Sequence, residues 1–407
     1  MIIFTVGMAA GRLRLGGWSV VVGALAGCGP QPLVPTSDAG ASPATVSQPP
    51  PGMPTGDGGT PPATVGAATD AGPVFRLART TLLTSADLTT AKVLAADADG
   101  IYWVTGDNQL WMLPAGSDAP GQLAADPNPM RDANYNAALL ATRNALFWTA
   151  SILAPNGQSL RSPLHRTQKT GGDVVLANCP CRPPELAADD AHLYFPQGSV
   201  ADETAMIAAL PLDADPGTAP TPLVRLGFDG VLSSVAVDDQ YVYWTTYPVA
   251  STVQIGEGPV TRGDKASLLA GDGIFSELVA DWVSALRPVG GALYVVYAPP
   301  WLDWFVGRVD QTGARSNLPL PGGSTLLVLD RWVVTATTPD STYPRGRMIA
   351  APARAVAGDG SLAVQIADDV MVLPVIGPPG LVFVDSRGHL WAMSAPDLGT
   401  AVAAGQP

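Results

Sequence analysis

The chain has 407 residues and a formal net charge of −13, and only 14% of its residues are charged, while 44 are Gly and 40 are Pro. An acidic surface with few Lys repels phosphate backbones, so this composition argues against nucleic-acid binding and against docking on anionic lipid. Frequent Gly and Pro, without long helical periodicity, favour short strands joined by many turns.

The first 27 residues have the character of an export signal. Arg12 and Arg14 precede an apolar run, Leu15 to Gly27, that is too short to span a bilayer. The run ends in Leu25-Ala26-Gly27-Cys28, which resembles the lipobox of bacterial lipoproteins. That resemblance implies lipidation of Cys28, export, and anchoring to the outer membrane or cell surface. An ordinary signal peptide with a chance Cys is the alternative.

Residues 28–74 are predicted to be the lipidated Cys followed by a linker. From Gly29 to Pro73 the chain repeats Pro, Gly, Ala, Ser and Thr and contains neither aromatic nor basic residues. Such a composition cannot bury enough apolar surface to offset the entropy of ordering. We therefore expect a disordered spacer that lifts a globular domain, residues 75–407, off the membrane.

A short sequence motif recurs along residues 75–407. Its clearest copy, Ser234 to Thr246, reads as an apolar strand, an acidic turn and a second strand that contains Tyr243-Trp244. An earlier copy runs from Val93 to Thr105. Copies recur at roughly 40–50 residues, and with four strands per unit this period is typical of a β-propeller. We predict an all-β propeller of seven four-stranded blades, with six or eight as alternatives.

The repeats also predict how blades pack and how the ring closes. Alternation in Tyr241-Val242-Tyr243-Trp244 places successive side chains on opposite faces, so each blade can pack on both neighbours. The closing strand could come from Phe75 to Leu83 or from Thr400 to Ala403, and the sequence does not choose between them.

Three second strands carry a resemblance to bacterial propeller lipoproteins with repeats similar to the YWTD type. They are Tyr102-Trp103-Val104-Thr105, Phe147-Trp148-Thr149-Ala150 and Tyr243-Trp244-Thr245-Thr246. All three lack the Asp in the fourth position of that motif. The resemblance therefore supports a propeller and implies neither a blade number nor a partner.

Acidic pairs such as Asp189-Asp190 and Asp238-Asp239 recur at the hairpin turn of the repeat. Oxygen clusters bind calcium, but Asp also caps such turns by accepting hydrogen bonds from local N–H groups, and this is the better account.

Cys179 and Cys181 are the Cys residues that remain after lipidation of Cys28. An oxidising compartment favours a disulfide between them as a loop staple, with a redox role as the alternative.

Nothing in the sequence marks an active site. The three His residues, His165, His192 and His389, fall within repeat positions, and neither a nucleophile elbow nor a phosphate-cradling glycine loop is present. We expect no catalytic residues, no metal and no cofactor. The alternative is a metal-dependent hydrolase or lactonase, since propellers of that kind place carboxylates around a metal in the central channel.

One loop has the composition of a binding surface. It runs from Tyr297 to Phe305 and contains Trp301, Asp303 and Trp304 beside two prolines. Exposed aromatic residues in such a setting are typical of contact surfaces. The sequence thus predicts a non-catalytic, monomeric, lipid-anchored envelope propeller that binds a protein partner or a surface glycan through its blade-connecting loops. A scaffold for outer-membrane assembly is a third hypothesis.

Overall fold

A computed structural model of the chain describes residues 14–15, 18–19, 80–84, 86–126, 137–150, 152–153, 159–179, 186–197, 206–225, 230–248, 258–279, 282–298, 305–323, 325–337, 346–355 and 363–404. The chain divides into two compact units, Met1–Gly66 and Ala67–Pro407. In the first unit, β1 (Arg14–Leu15) and β2 (Trp18–Ser19) pair in antiparallel register.

The second unit is built almost entirely of antiparallel strands, which form the four-stranded blades of a propeller. It begins with β3 (Thr80–Thr84) and a 3-10 helix, Ala86–Thr90. Blade I contains β4 (Ala91–Asp97), β5 (Gly100–Thr105), β6 (Gln109–Pro114) and β7 (Gly121–Ala125). Blade II contains β8 (Ala137–Ala141), β9 (Ala145–Ala150), β11 (Ser159–Gln168) and β12 (Asp173–Cys179), with the short β10 (Ile152–Leu153) paired to β11. Blade III contains β13 (Ala187–Ala188), β14 (His192–Gln197), β15 (Met206–Pro211) and β16 (Thr221–Arg225).

The remaining blades follow the same meander. Blade IV contains β17 (Gly230–Val237), β18 (Tyr241–Pro248), β19 (Val260–Asp264) and β20 (Phe275–Val279), with helix α1 (Lys265–Ala270) between the last two strands. Blade V contains β21 (Trp282–Val289), β22 (Ala292–Ala298), β23 (Phe305–Val309) and β24 (Arg315–Pro321). Blade VI contains β25 (Thr325–Leu329), β26 (Trp332–Ala336), β27 (Gly346–Pro352) and the long β28 (Val364–Gly377).

Blade VII shares β28 with blade VI. The first half of this strand pairs with β27, and the second half pairs with β29 (Gly380–Asp385), which in turn pairs with β30 (His389–Met393). Helix α2 (Ala395–Ala404) follows. In the part of the chain described here, no helix has both the length and the apolar character needed to cross a membrane.

The fourth strand of blade VII is β3, from the other end of the domain. Thr81 is paired with Trp391, and Leu83 is paired with Leu390. The N-terminal segment therefore closes the sheet, and the other candidate, Thr400 to Ala403, lies in helix α2. The first strands of blades I and VII, β4 and β28, also lie side by side. The all-β propeller fold is confirmed. The number of blades stays a prediction, because several segments between strands lie outside the described residues.

The apolar cores lie between blades. In blade III, Tyr194 packs in a cluster with Trp244 of blade IV, whereas the next residue, Phe195, packs in a cluster with Phe147 of blade II. In blade I, Tyr102 likewise faces blade II, and Trp103 faces blade VII. Successive side chains of a strand point to opposite faces, so the second strand of a blade contributes side chains to the cores on both sides of that blade. The predicted packing of a blade on both its neighbours is therefore observed.

Closure by β3 makes a testable prediction. Deleting residues 80–84 removes the outer strand of blade VII, together with the contacts of Leu82 and Leu83 with the core between blades VII and I. We expect the free energy of unfolding to fall by about 3 kcal/mol, from lost apolar burial and lost strand hydrogen bonds. Urea unfolding measures this loss. A deletion of residues 62–66, which has the same length, is the control and should leave the unfolding free energy unchanged.

Candidate functional site

The first hairpin of a blade, which joins its first and second strands, is organised by one Asp carboxylate. In blade III, Asp189 Oδ1 accepts hydrogen bonds from the backbone N–H groups of Ala191 and His192, at 2.8 and 2.7 Å. In blade IV, Asp238 Oδ1 accepts the corresponding bonds from Gln240 and Tyr241, at 2.9 and 2.7 Å. The expectation that these Asp residues accept hydrogen bonds from the turn is thus confirmed for Asp189 and Asp238.

The same carboxylates also hold a Tyr five residues further along. The Tyr194 hydroxyl donates to Asp189 Oδ2 at 2.8 Å, and corresponding bonds join Tyr243 to Asp238 and Tyr102 to Asp97. Burial, followed by the neighbouring carboxylate, raises the pKa of each of these Tyr hydroxyls. Blade II has Thr142 in place of the Asp and Phe147 in place of the Tyr. The carboxylate that accepts this bond and the hydroxyl that donates it are therefore both absent from that hairpin.

A Lys from the next blade completes this contact. Lys265 Nζ of blade IV lies 2.9 Å from Asp189 Oδ2 of blade III and donates to the carbonyl oxygen of Asp238 at 3.1 Å. Lys169 Nζ of blade II lies 2.7 Å from both Asp97 and Asp99 of blade I. Each Lys directly follows the third strand of its own blade. Cations at equivalent positions therefore tie two blades to the blades that precede them.

An Arg three residues before each Lys contacts the following blade instead of the preceding one. Arg166 of blade II donates to the carbonyl oxygens of Leu212 and Ala214 in blade III, at 3.3 and 2.8 Å. Arg262 of blade IV donates to the carbonyl oxygen of Gln311 in blade V at 3.1 Å. Blades II and IV therefore hold their neighbours on both sides through an Arg-x-x-Lys segment. The sequence alone does not mark this segment, because its partners lie in other blades.

A groove of about 1480 Å³ opens over the first hairpins of blades II, III and IV. The residues that line it include half-buried aliphatic side chains and the inter-blade contacts of Arg166 and Lys265. Three exposed carboxylates also line it, Asp190, Asp213 and Asp239, and none has a hydrogen bond or ion pair with another described residue. In both acidic pairs, Asp189-Asp190 and Asp238-Asp239, the first Asp therefore stabilises the turn, whereas the second is exposed at the groove.

Blade II gives the groove an opposite charge at one end. Its first hairpin places the exposed Arg143 in the position after Thr142, where blades III and IV have Asp190 and Asp239. The Thr142 hydroxyl bonds to the carbonyl oxygen of Ala145 and so serves the turn, as Asp189 and its counterparts do elsewhere. The groove is therefore polar along its length, with a guanidinium over blade II and carboxylates over blades III and IV.

The predicted contact loop is only partly described. Tyr297 lies in β22, is 1% exposed and donates a hydrogen bond from its hydroxyl to Asn317 Oδ1 at 2.6 Å. The prediction that Tyr297 belongs to an exposed loop is therefore wrong, because its side chain fills the core between blades IV and V. Trp301, Asp303 and Trp304 lie outside the described residues.

The predicted cysteine sites are likewise not described. Cys28 and Cys181 lie outside the described residues, and for Cys179 only its place at the end of β12 is described. The lipid anchor and the disulfide therefore stay predictions.

A buried cluster surrounds His165, which is 1% exposed. Its Nδ1 lies 2.8 Å from Asp173 Oδ2, its Nε2 lies 3.8 Å from Asp126 Oδ2, and its ring stacks on Trp148 at 4.1 Å between centroids. The Thr167 hydroxyl donates to the other carboxylate oxygen of Asp173, at 2.5 Å. Within the described ranges, no three His, Cys, Asp or Glu side chains come together as a metal-binding group.

Comparisons with known proteins support the fold and nothing finer. No family model and no curated protein matches the chain. One similar solved structure is an oligogalacturonate lyase in complex with manganese, 13% identical, with a TM-score of 0.52 over 81% of this chain and 100% of that one. Another is the oligogalacturonate lyase of Vibrio parahaemolyticus, 11% identical, with a TM-score of 0.51 over 80% of this chain and 100% of that one. At such identities the likeness shows a shared propeller fold alone.

The contacts of Asp189 predict an acid-dependent stability. Burial alone would raise its pKa, but hydrogen bonds from Lys265, from the turn backbone and from Tyr194 lower the pKa from 3.8 to about 2. A lowered pKa stabilises the folded state above pH 3.8, and that stabilisation is lost as the pH falls towards 2. We expect the wild type to lose about 1 kcal/mol more of unfolding free energy between pH 6 and pH 3 than Asp189→Asn does.

Urea unfolding at the two pH values measures this difference. Asp118→Asn removes one carboxylate from an exposed turn of blade I and should follow the wild type. Equal acid sensitivity of the wild type and Asp189→Asn would mean that the contacts of the Asp189 carboxylate together contribute no stability.

Proposed function

We propose that this protein is a non-catalytic, lipid-anchored propeller of the bacterial envelope that binds a protein partner or a surface glycan. The groove over blades II, III and IV is the proposed seat of the ligand. The loop that holds Trp301, Asp303 and Trp304 is a second proposed contact. Cys28, at the end of Leu25-Ala26-Gly27-Cys28, is the proposed attachment point for lipid.

The observation that supports a binding role is the division of the acidic pairs. Asp189 and Asp238 are fully engaged by turn amides, a Tyr hydroxyl and, for Asp189, a Lys. Asp190 and Asp239 make no such bond with the described residues, and both lie exposed at the groove. Exposed charged groups on hydrogen-bonded hairpins beside a large groove are suited to contact a ligand at low ordering cost.

The alternative is a metal-dependent hydrolase or lactonase acting in the central channel. One similar solved structure is a lyase in complex with manganese, but that likeness extends to the fold only. Among the residues that the structure describes, no metal-binding group of His, Cys, Asp or Glu is assembled. Metal analysis of the purified protein separates the two functions, since a stoichiometric, tightly bound cation would favour the enzyme.

Site-specific photo-crosslinking in the native envelope tests the proposed function. A photoreactive residue at Asn144 or Ala266, which are exposed and line the groove, should capture one discrete species. The same residue at Gln122, on the exposed outer strand of blade I, should not capture that species. Mass spectrometry of the product identifies it as protein or glycan.

The anchor is tested in the same cells. Cys28→Ser should leave the protein in the soluble fraction and reduce the yield of the crosslinked species. Capture at Gln122 equal to that at Asn144 and Ala266, or no capture from the groove, would contradict the proposed binding seat.

A further inference from the structure

We propose that the groove receives a cationic segment of a protein partner that also carries aliphatic side chains. This inference rests on the proposed binding function and deepens it by naming the chemistry of the ligand. It follows from the two kinds of surface that the groove offers, which are accessible aliphatic side chains and carboxylates that the fold leaves unpaired among the described residues.

The larger aliphatic side chains that line the groove are Leu140, Leu212, Val237 and Leu269. Each is half-buried, packing on a core cluster between blades while part of it remains accessible at the groove. Covering the accessible part with apolar groups of a ligand removes it from water, which contributes favourably to binding. A segment made only of charged side chains would leave this surface uncovered.

The charge of the groove sets the sign of the ligand. Asp190, Asp213 and Asp239 are exposed over blades III and IV, whereas the cations there and on the floor are engaged: Lys265 pairs with Asp189, and Arg166 donates to backbone carbonyls. Over blades III and IV, the negative charge is therefore the one left for a partner. Complementary charges at the rim of an interface guide association and fix its register, so Lys or Arg side chains of the ligand belong over blades III and IV.

A protein segment fits the groove better than a glycan does. Sugar rings are held in many sites by stacking on aromatic side chains, but the described lining residues include no Trp, Tyr or Phe. His192 provides the ring nearest to this role, and it already lies against Tyr194 at 6.2 Å between centroids.

Arg143 at the blade II end pairs with an acidic group of the ligand, which orients the segment along the groove.

Fluorescence anisotropy with defined probes tests this inference. The probes are a labelled short peptide of alternating Leu and Lys, a matched peptide of alternating Leu and Glu, and a neutral oligosaccharide. We expect the wild type to bind the Leu-Lys peptide in preference to the other two. Asp190→Asn with Asp239→Asn should weaken that binding by about three- to tenfold, because two exposed ion pairs are lost. The control Asp118→Asn should bind as the wild type does.

Three results would overturn the inference. Equal weakening by Asp118→Asn would show diffuse attraction to an acidic protein. Preference for the Leu-Glu peptide or the oligosaccharide, lost in the double variant, would keep the groove as a binding seat but give it a different ligand. Absence of Leu-Lys binding would reject the cationic segment, and crosslinking from Asn144 and Ala266 would then still decide separately whether the groove binds a partner.

Discussion

The structure depends on the hydrogen bonds and ion pairs of the first Asp carboxylate in each acidic hairpin. In blade III, Asp189 accepts hydrogen bonds from two turn amides and one Tyr hydroxyl and pairs with Lys265 of the following blade. One side chain thus fixes the turn, joins it to the second strand and links two blades. Because Lys265 also donates to the carbonyl oxygen of Asp238, it links the hairpins of blades III and IV that border the groove.

Much of the fold could be predicted because its causes are local in sequence. Alternation such as Tyr243-Trp244 assigns successive side chains to opposite faces, and the structure places Tyr243 towards blade V and Trp244 towards blade III. The turn role of Asp238 could be predicted for the same reason, since its partners lie within five residues. The loss of Asp in blade II together with the change of Tyr to Phe follows the same local chemistry.

The rest depended on contacts between residues distant in the sequence. The closing strand could not be chosen because Phe75 to Leu83 and Thr400 to Ala403 are both short and mildly apolar, and only pairing with Trp391 separates them. Tyr297 was misplaced because aromatic residues at the end of a strand can face a core or a loop. The ion pair between Asp189 and Lys265 could not be predicted either, because Lys265 lies 76 residues after Asp189 in the chain.

The division of labour within an acidic pair is tested most directly by comparing the thermal unfolding of Asp238→Asn and Asp239→Asn. These variants differ by one position and remove the same charge. In Asp238→Asn an amide nitrogen replaces one of two accepting oxygens, so the turn amides and the Tyr243 hydroxyl cannot all keep an acceptor, and we expect Tm to fall by about 2 °C or more. Asp239→Asn should keep the Tm of the wild type. Equal losses, or a larger loss in Asp239→Asn, would contradict the account.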